Sequence, residues 1–375
     1  ERGGALFLRD EAGRRLPLRL RGDTLVTEGR LAVGRRLLPV TGGPGADALV
    51  TGTDTLLREE TPPPAPIPAP FAPLVGEYGW DHNVLYVLEE DRRLHLLIEW
   101  FFQEPLEAVG ADSFRLPDRG LYAGERVVFV RDAAGRPAGV RVGGVLFPRR
   151  AVGPGEGVTF RITPVRPVAE LRREALAARP PRERGPFREP DLVELRELDP
   201  TIRYDIRYAG TDNFMADVFY TEPHAFLQRP AAEAVVRAHR ALAPHGYGLL
   251  IHDAYRPWHV TKMFWDATPD SLRGFVADPA GGSRHNRGAA VDLTLYDLAT
   301  GEPLLMPSGY DEFTPRAFAD YPGGTHRQRW LRELLRDAME AEGFDVYPAE
   351  WWHFDFRDWR RYPLLNRTFE TLEGN

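Results

Sequence analysis

The sequence predicts a protein of several domains, in which an all-β amino-terminal part, a barrel or a sandwich, precedes a domain of mixed helices and strands. Three observations predict this order. The chain has 375 residues, more than one hydrophobic core usually serves. Strand-like patterns fill its first part, and helical periodicity appears only beyond residue 190. Proline-rich stretches lie between these regions.

The amino-terminal part shows short apolar runs separated by turn residues. Residues 1–60 form a first β-rich segment, and the six prolines of Thr61–Pro70 predict a stiff connector. A second β-domain is expected over residues 71–165, because no long helical period interrupts it. Its clearest predicted strands are Leu85–Leu88, Leu94–Trp100, Val127–Val130 and Val140–Phe147. An antiparallel barrel or sandwich is therefore expected here.

The second half changes character after a linker predicted over residues 166–190, leaving residues 191–375 as an α+β domain. A helix is expected at Ala231–Leu242, with Pro230 in its first turn, followed by a buried strand at Leu249–Ile251. A second helix is expected at His326–Glu342, because its apolar residues share one face and Gly343 follows.

Composition excludes several classes of function. A net charge of −7 argues against a nucleic-acid partner, and no apolar run approaches the roughly 18 residues that a membrane-spanning helix needs. Because the chain has no cysteine, a metal site must use His, Asp and Glu. The single lysine, Lys262, lies in neither a P-loop nor a Ser-x-x-Lys motif, so neither of those chemistries is expected.

The main chemical signal is Ser-Arg-His-Asn-Arg-Gly-Ala-Ala-Val-Asp, from Ser283 to Asp292. On an uninterrupted strand His285 and Asp292 would face opposite sides, but Gly288 supplies a bend between them. A carboxylate within an apolar strand is costly unless it is paired or bound to a metal. A hairpin with Asp292 capping a turn and His285 on the surface accounts for the segment equally well.

The second signal is Glu350-Trp-Trp-His353, a carboxylate and an imidazole three residues apart among aromatic side chains. Aromatic bulk excludes water and strengthens electrostatic interactions, although such a cluster is also typical of an ordinary core. Two imidazoles and one carboxylate suit a catalytic zinc, which keeps three protein ligands and an open position. If His285, Asp292 and His353 are those ligands, Glu350 remains beside the open position.

The third signal, Asp253-Ala-Tyr-Arg256-Pro, directly follows the predicted strand ending at Ile251. An arginine at the end of a strand could stabilise an oxyanion, and a surface ion pair is the commoner use of such a residue.

Together the three segments resemble the zinc D,D-peptidases, in particular the D-alanyl-D-alanine dipeptidases of the vancomycin-resistance type. The matching motifs are Ser-x-His-x-x-Gly-x-Ala-x-Asp, Glu-Trp-Trp-His and a Tyr-Arg-Pro after a strand. The resemblance covers roughly residues 191–365, and it includes the segments Tyr208–Phe214 and Ser308–Asp311.

The resemblance implies an enzyme that hydrolyses D-alanyl-D-alanine with one Zn²⁺ per catalytic domain. Each role is implied only for a residue of this sequence that matches a position of the family motifs. The implied metal ligands are His285, Asp292 and His353, the catalytic groups are the base Glu350 and the oxyanion-stabilising Arg256, and the substrate-binding residues are Asp311, Ser283 and Tyr208. Asp311 would lie near the free amino group of the substrate. The histidines at positions 252, 259 and 326 match no ligand position and are interpreted as structural or surface residues.

The strands from about Leu74 to Arg150 resemble the small lipocalin-like β-domains appended to serine hydrolases of the penicillin-binding class. The lack of a Ser-x-x-Lys motif predicts an accessory role, such as shaping substrate access or forming a homo-oligomer.

Three other functions fit the same sequence. They are a D,D- or L,D-carboxypeptidase acting on peptidoglycan stem peptides, a non-catalytic zinc-containing cell-wall-binding module, and a carbohydrate- or lipid-binding role of the β-region. The presence of both Glu350 and Arg256 favours catalysis. A cell-wall substrate and a first residue other than Met favour a periplasmic or secreted setting, with a cytoplasmic one as the alternative.

Overall fold

The computed structural model of the chain describes residues 6–9, 15–21, 24–28, 36–39, 48–51, 54–57, 62–155 and 157–373. Contacts divide the chain into two compact units. The β-unit comprises residues 1–152 and 320–334, and the αβ-unit comprises residues 153–319 and 335–375. The order of a β-rich region and a mixed domain agrees with the prediction. Parts of the predicted segment 1–60 lie outside the described residues.

The described strands of the β-unit form three antiparallel sheets. A meander pairs six strands in chain order: β1 (Phe7–Arg9), β2 (Arg15–Arg21), β3 (Thr24–Thr27), β4 (Arg36–Pro39), β5 (Ala48–Thr51) and β6 (Asp54–Leu57). The second sheet has four strands in the order β10-β9-β8-β7: β7 (Gly76–Trp80), β8 (Asn83–Glu90), β9 (Arg93–Ile98) and β10 (Phe102–Pro105). The third also follows chain order: β11 (Glu107–Ala108), β12 (Ser113–Arg115), β13 (Arg126–Arg131), β14 (Pro137–Val142) and β15 (Val145–Pro148).

One apolar core lies between the second and third sheets. It joins side chains of both, such as Leu85 and Leu96 from one and Val127 and Val140 from the other, all fully buried. The strands expected around these residues are present. The lipocalin-like barrel is not confirmed, because the described strands form separate sheets rather than one closed ladder.

The αβ-unit is built on a five-stranded sheet in the order β17-β19-β20-β22-β21, beside a two-stranded pair of β16 and β18. The strands are β16 (Leu192–Glu194), β17 (Arg203–Tyr204), β18 (Phe226–Gln228), β19 (Tyr247–Asp253), β20 (Ala290–Asp297), β21 (Phe344–Tyr347) and β22 (Glu350–Phe356). Only β17 and β19 pair in parallel, and the other neighbours are antiparallel. The central strands β19 and β20 are buried along nearly their whole length, which explains their continuous apolar runs.

The α-helices of the described chain are α1 (Val168–Ala177), α2 (Leu195–Leu198), α3 (Arg229–Leu242), α4 (Trp258–Ala267), α5 (His326–Ala341) and α6 (Phe369–Glu373). Both predicted helices are confirmed, as α3 and α5. Helix α3 has proline in its first turn, and the chain turns at Gly246 with a φ of 84°. Two further helices, α1 and α4, pack against each other.

Helix α1 lies within the predicted linker 166–190. Its buried residues Leu171 and Ala175 are one turn apart, so a single apolar stripe of a short helix is enough to bury it. Residues 153–165, which the sequence places at the end of the β-domain, belong to the αβ-unit.

Candidate active site

The sheet register brings the predicted ligands together. On neighbouring strands β20 and β22, Asp292 lies directly opposite His353, so their side chains project from the same face. His285 lies in a turn of 3₁₀ helix that precedes β20. That turn ends at Gly288, whose φ of 62° reverses the chain, and a Cβ there would lie 2.3 Å from Leu192 Cδ2. The expected bend is therefore present.

Three ligand atoms converge on one buried point. Asp292 Oδ1 lies 2.9 Å from His353 Nδ1 and 3.3 Å from His285 Nε2. The two imidazole nitrogens lie 3.1 Å apart. All three side chains are buried, and their ligand atoms all lie within 4.8 Å of one another. This donor set is the one expected for a catalytic zinc with an open coordination position.

In each imidazole, the ring nitrogen that faces away from the shared point also makes a hydrogen bond. His285 Nδ1 donates to the carbonyl oxygen of Ala254 at 2.6 Å, which leaves Nε2 with its lone pair facing the site. His353 Nε2 donates to Asp355 Oδ1 at 2.9 Å, which leaves Nδ1 facing it. The two histidines thus present different ring nitrogens, each set by its outer partner.

The outer oxygen of Asp292 has its own partners. Tyr310 donates its hydroxyl to Asp292 Oδ2 at 3.0 Å, and Arg256 Nη2 lies 3.6 Å from the same oxygen. The Tyr310 ring stacks on His252, with centroids 4.5 Å apart. These contacts leave Oδ1 as the oxygen that Asp292 offers to a cation.

The electrostatics fit a positive charge at this point. Burial alone would raise the pKa of Asp292, but the neighbouring His285 and His353 hold it well below its usual range. Burial opposes the charged form of His353, yet Asp355 and Asp292 raise the pKa of its imidazole well above the ordinary value. A divalent cation would replace that positive charge among the same ligands, so the residues present fit zinc.

Glu350 begins strand β22, three residues before His353. Its Oε2 lies 3.8 Å from His353 Nδ1, and its side chain is 16% exposed. Burial raises the pKa of Glu350 to about 7, despite the opposing charge of His353. A carboxylate with a pKa near neutrality can both accept and return a proton.

Arg256 follows strand β19 and is held by a buried partner. Its Nε donates to Asp253 Oδ2 at 2.8 Å, while the hydroxyl of Tyr220 donates to the other oxygen of Asp253 at the same distance. The guanidinium carbon lies 5.3 Å from the ring centroid of Tyr208 and 5.0 Å from that of Phe264. Aromatic faces and a carboxylate together orient the cation toward Asp292.

Asp311 and Tyr208 form a second buried pair beside these groups. Tyr208 donates its hydroxyl to Asp311 Oδ2 at 2.7 Å. Burial raises the pKa of Asp311 well above its usual range, and the negative charge of Asp292 adds to the shift. Asp311 also has a φ of 57°, a left-handed conformation that non-glycine residues adopt at a cost when their surroundings hold them there.

Ser283 lies at the turn before the ligands. Its Oγ accepts a hydrogen bond from the backbone N–H of His285 at 3.2 Å, so the hydroxyl shapes the turn that presents this imidazole. All eight predicted site residues therefore touch at least one other member of the set.

The comparisons with known proteins agree with this geometry. The family model described as D-ala-D-ala dipeptidase matches residues 188–372. The D-alanyl-D-alanine dipeptidase of Escherichia coli (strain K12) is 35% identical over 179 residues, which cover 48% of this chain and 91% of that protein. The enzyme of the same name from Enterococcus faecium is 34% identical over 185 residues, covering 44% of this chain and 90% of that protein. The namesake from Streptomyces coelicolor (strain ATCC BAA-471 / A3(2) / M145) is 33% identical over 189 residues.

The chain belongs to the D-ala-D-ala dipeptidase family. It is accordingly a metallopeptidase, and the family expected from the sequence is confirmed. The matched region contains every predicted site residue, from Tyr208 to His353, whereas residues 153–165 and most of the β-unit precede it. The individual roles of the eight residues stay predictions.

Three residues that contact the predicted site had no role in the sequence prediction, although two of them lie in its motifs: Asp253, Tyr310 and Asp355. Asp355 is two residues after His353 on β22, so strand alternation places both side chains on one face. Asp253 ends strand β19, and its position three residues before Arg256 was the available signal. Tyr310 directly precedes Asp311, but no local pattern indicates that its hydroxyl reaches a residue on β20.

A second cluster of carboxylates and imidazole lies in the β-unit, formed by Glu90, Asp91 and His326. His326 faces Glu90 through Nε2 at 3.5 Å and Asp91 through Nδ1 at 3.4 Å. Glu90 also pairs with Arg329 at 2.5 Å. The buried imidazole of His326 thus lies between two carboxylates, of which Asp91 is exposed, and the structural or surface role expected for His326 stays a prediction.

Among the described residues, no helix combines the length and the apolar character needed to cross a bilayer.

Proposed function

We propose that this metallopeptidase hydrolyses small dipeptides of the D-alanyl-D-alanine type, with one zinc ion held by His285, Asp292 and His353. The observation that carries the proposal is the convergence of their three ligand atoms beside Glu350, a carboxylate whose pKa is about 7. When bound, zinc supplies Lewis acidity, which polarises the scissile carbonyl and makes water easier to deprotonate.

Glu350 serves as the general base. Its carboxylate takes a proton from the attacking water and later delivers it to the nitrogen of the departing amino acid. A pKa of about 7 suits both steps, because the group is neither too weak to accept the proton nor too basic to return it. Its position 3.8 Å from His353 Nδ1 supports this role.

Arg256 stabilises the negative charge that develops on the carbonyl oxygen. Its guanidinium is already aligned by Asp253, so little reorganisation is needed during the reaction. A preorganised cation in a site shielded from water stabilises an oxyanion more than the same cation would in solution.

The Asp311 carboxylate pairs with the free amino group of the dipeptide. Tyr208 holds the Asp311 carboxylate in place through its hydroxyl. A buried carboxylate with a strongly raised pKa favours a cationic neighbour, which supports this assignment. An acylated substrate would leave that carboxylate without its charge partner and would be penalised. Ser283 completes the proposed substrate-binding set through the turn that it forms with His285.

The test is a metal analysis combined with hydrolysis assays on the four stereoisomers of Ala-Ala and on N-acetyl-D-Ala-D-Ala. The proposal expects one zinc per chain, fastest cleavage of D-Ala-D-Ala and slow cleavage of the acetylated compound. Equal rates on free and acetylated substrates would favour the carboxypeptidase alternative. A protein that binds no metal and cleaves none of these peptides would end the proposal.

The proposed substrate is a cell-wall fragment, which supports an extracytoplasmic setting for the enzyme. We assign the β-unit an accessory role, because every group proposed for the chemistry lies in the αβ-unit.

A further inference from the structure

The described residues 153–155 and 157–165 contain no helix or strand, and we call the segment 153–165 the strap. The strap belongs to the αβ-unit but precedes the family match, which begins at residue 188. It contacts two loops. Loop A (Tyr208–Phe214) carries Tyr208, and loop B (Ser308–Phe313) carries Asp311.

Thr159 and Ile162 attach the strap to loop A. Thr159 Oγ1 donates to Asp212 Oδ1 at 2.5 Å, and Ile162 N–H donates to the carbonyl oxygen of Phe214 at 2.9 Å. Arg207, the residue before Tyr208, reaches both partners: its Nη1 lies 2.5 Å from Asp212 Oδ2 and 3.4 Å from Thr159 Oγ1. These contacts fix both ends of the loop that presents Tyr208.

Gly153 and Phe160 attach the strap to loop B. The ring of Phe160 lies 5.3 Å from that of Phe313. Gly153 approaches Glu312 so closely that a Cβ would lie 2.3 Å from Glu312 Oε1. Glu312 is itself buried and accepts hydrogen bonds from Gly309 N–H and Thr314 Oγ1.

Loop B needs such support. Asp311 combines a left-handed backbone with a buried carboxylate, and both features raise the free energy of the folded state. Glu312 follows it directly, so contacts that hold Glu312 also restrict the Asp311 backbone. Because the strap touches loops A and B at once, it fixes the relative position of Tyr208 and Asp311, whose side chains meet at 2.7 Å.

We propose that the strap is a specificity element that positions Tyr208 and Asp311 for the substrate amino group, through the contacts of Gly153 and Phe160 with loop B. The inference rests on the proposed dipeptidase function. It adds to the catalytic site a segment that lies outside the region shared with the family.

The test uses the full chain and two matched pairs of variants. Gly153→Ala adds a Cβ against Glu312 at a φ of 67°, whereas Gly157→Ala adds one at a φ of 72° with nothing within 4 Å. Both substitutions impose similar backbone strain on the strap, but only the first displaces loop B. In the second pair, Phe160→Ala removes the contact with Phe313, and Val158→Ala shortens a side chain that is 58% exposed.

We expect Gly153→Ala and Phe160→Ala to raise KM for D-Ala-D-Ala by roughly tenfold, because a small displacement of a binding group is costly. Their kcat and zinc content should stay within about twofold of wild type, since the ligands and Glu350 contact neither residue. The preference for free over N-acetylated dipeptide should fall, and both controls should behave as wild type.

Unchanged KM in Gly153→Ala and Phe160→Ala would overturn the inference. A rise in KM accompanied by a fall in both kcat and zinc content would also overturn it, because that pattern indicates a purely structural segment. A wild-type chain that cleaves no dipeptide would instead end the proposed function, and this inference with it.

Discussion

Among the described residues, two clusters bring imidazole and carboxylate groups close enough together to hold a metal, and they differ in how their side chains are arranged. In the αβ-unit, His285 and His353 each turn one nitrogen toward Asp292 and engage the other with an outer acceptor. In the β-unit, His326 directs its two nitrogens at two different carboxylates. The first arrangement directs one nitrogen of each of two imidazoles at a common point, whereas the second places a single imidazole between two carboxylates.

The two clusters also differ in the charged residues around them. The guanidinium beside Asp292, that of Arg256, has a partner of its own in Asp253 and lies near Oδ2, so Oδ1 of the ligand carboxylate stays available for a metal. In the β-unit Glu90 forms a close ion pair with Arg329, at 2.5 Å. The two clusters therefore differ in the orientation of their imidazoles, in the partners of their outer atoms and in the exposure of one carboxylate, Asp91.

The largest expected effect distinguishes the two clusters by metal content. His353→Ala should reduce zinc from one ion per chain to none and abolish hydrolysis, because a three-ligand site loses one ligand. His326→Ala should leave one zinc per chain. Metal analysis of both purified variants checks this, and zinc lost from His326→Ala with its fold intact would contradict the comparison.

The next largest effect isolates the base from the metal. Glu350→Gln should keep the zinc but reduce kcat by roughly 10³-fold or more, because the amide cannot take a proton from water. Steady-state kinetics with D-Ala-D-Ala measures the loss. If Glu350→Gln retains most of the wild-type kcat, another group is the base.

A smaller effect concerns the outer partner of His353. Asp355→Asn should weaken zinc binding by roughly 10- to 100-fold, because the imidazole loses the carboxylate that orients it. Asp345→Asn is the matched control: Asp345 pairs with Asp355 across strands β21 and β22 but is 60% exposed and paired with Arg357. Competition with a zinc chelator gives both affinities, and equal values would remove Asp355 from the site.

The smallest effect on activity is expected in the β-unit, where the cluster stabilises the fold. Glu90→Gln should lower the free energy of unfolding by about 2 kcal/mol, because it leaves the partly buried guanidinium of Arg329 beside a neutral partner. Zinc content and kcat should not change. Urea denaturation measures the first quantity; a variant as stable as wild type would show that this ion pair contributes little.

Local sequence patterns predicted much of this structure. Proline at the start of α3 and the positive φ of Gly288 both follow from intrinsic backbone preferences. Helices α1 and α4 were not predicted: α1 lies between prolines, and Pro257, which precedes α4 as Pro230 lies in the first turn of α3, was interpreted only as part of the Tyr-Arg-Pro motif. The barrel expected for the β-domain was not confirmed, because short strands with glycine turns fit open and closed sheets alike.

For the candidate site, too, part was predictable from the sequence and part was not. The sequence by itself determined which side chains can bind a metal, since no cysteine is present and the motifs at 283–292 and 350–353 supply imidazole and carboxylate. Only the tertiary structure decided that Asp292 pairs with His353 across β20 and β22, 61 positions apart in the chain. It also decided that Asp355, Tyr310 and Ala254 engage the outer atoms of the ligands. Such choices depend on strand register and long-range packing, which local periodicity does not encode.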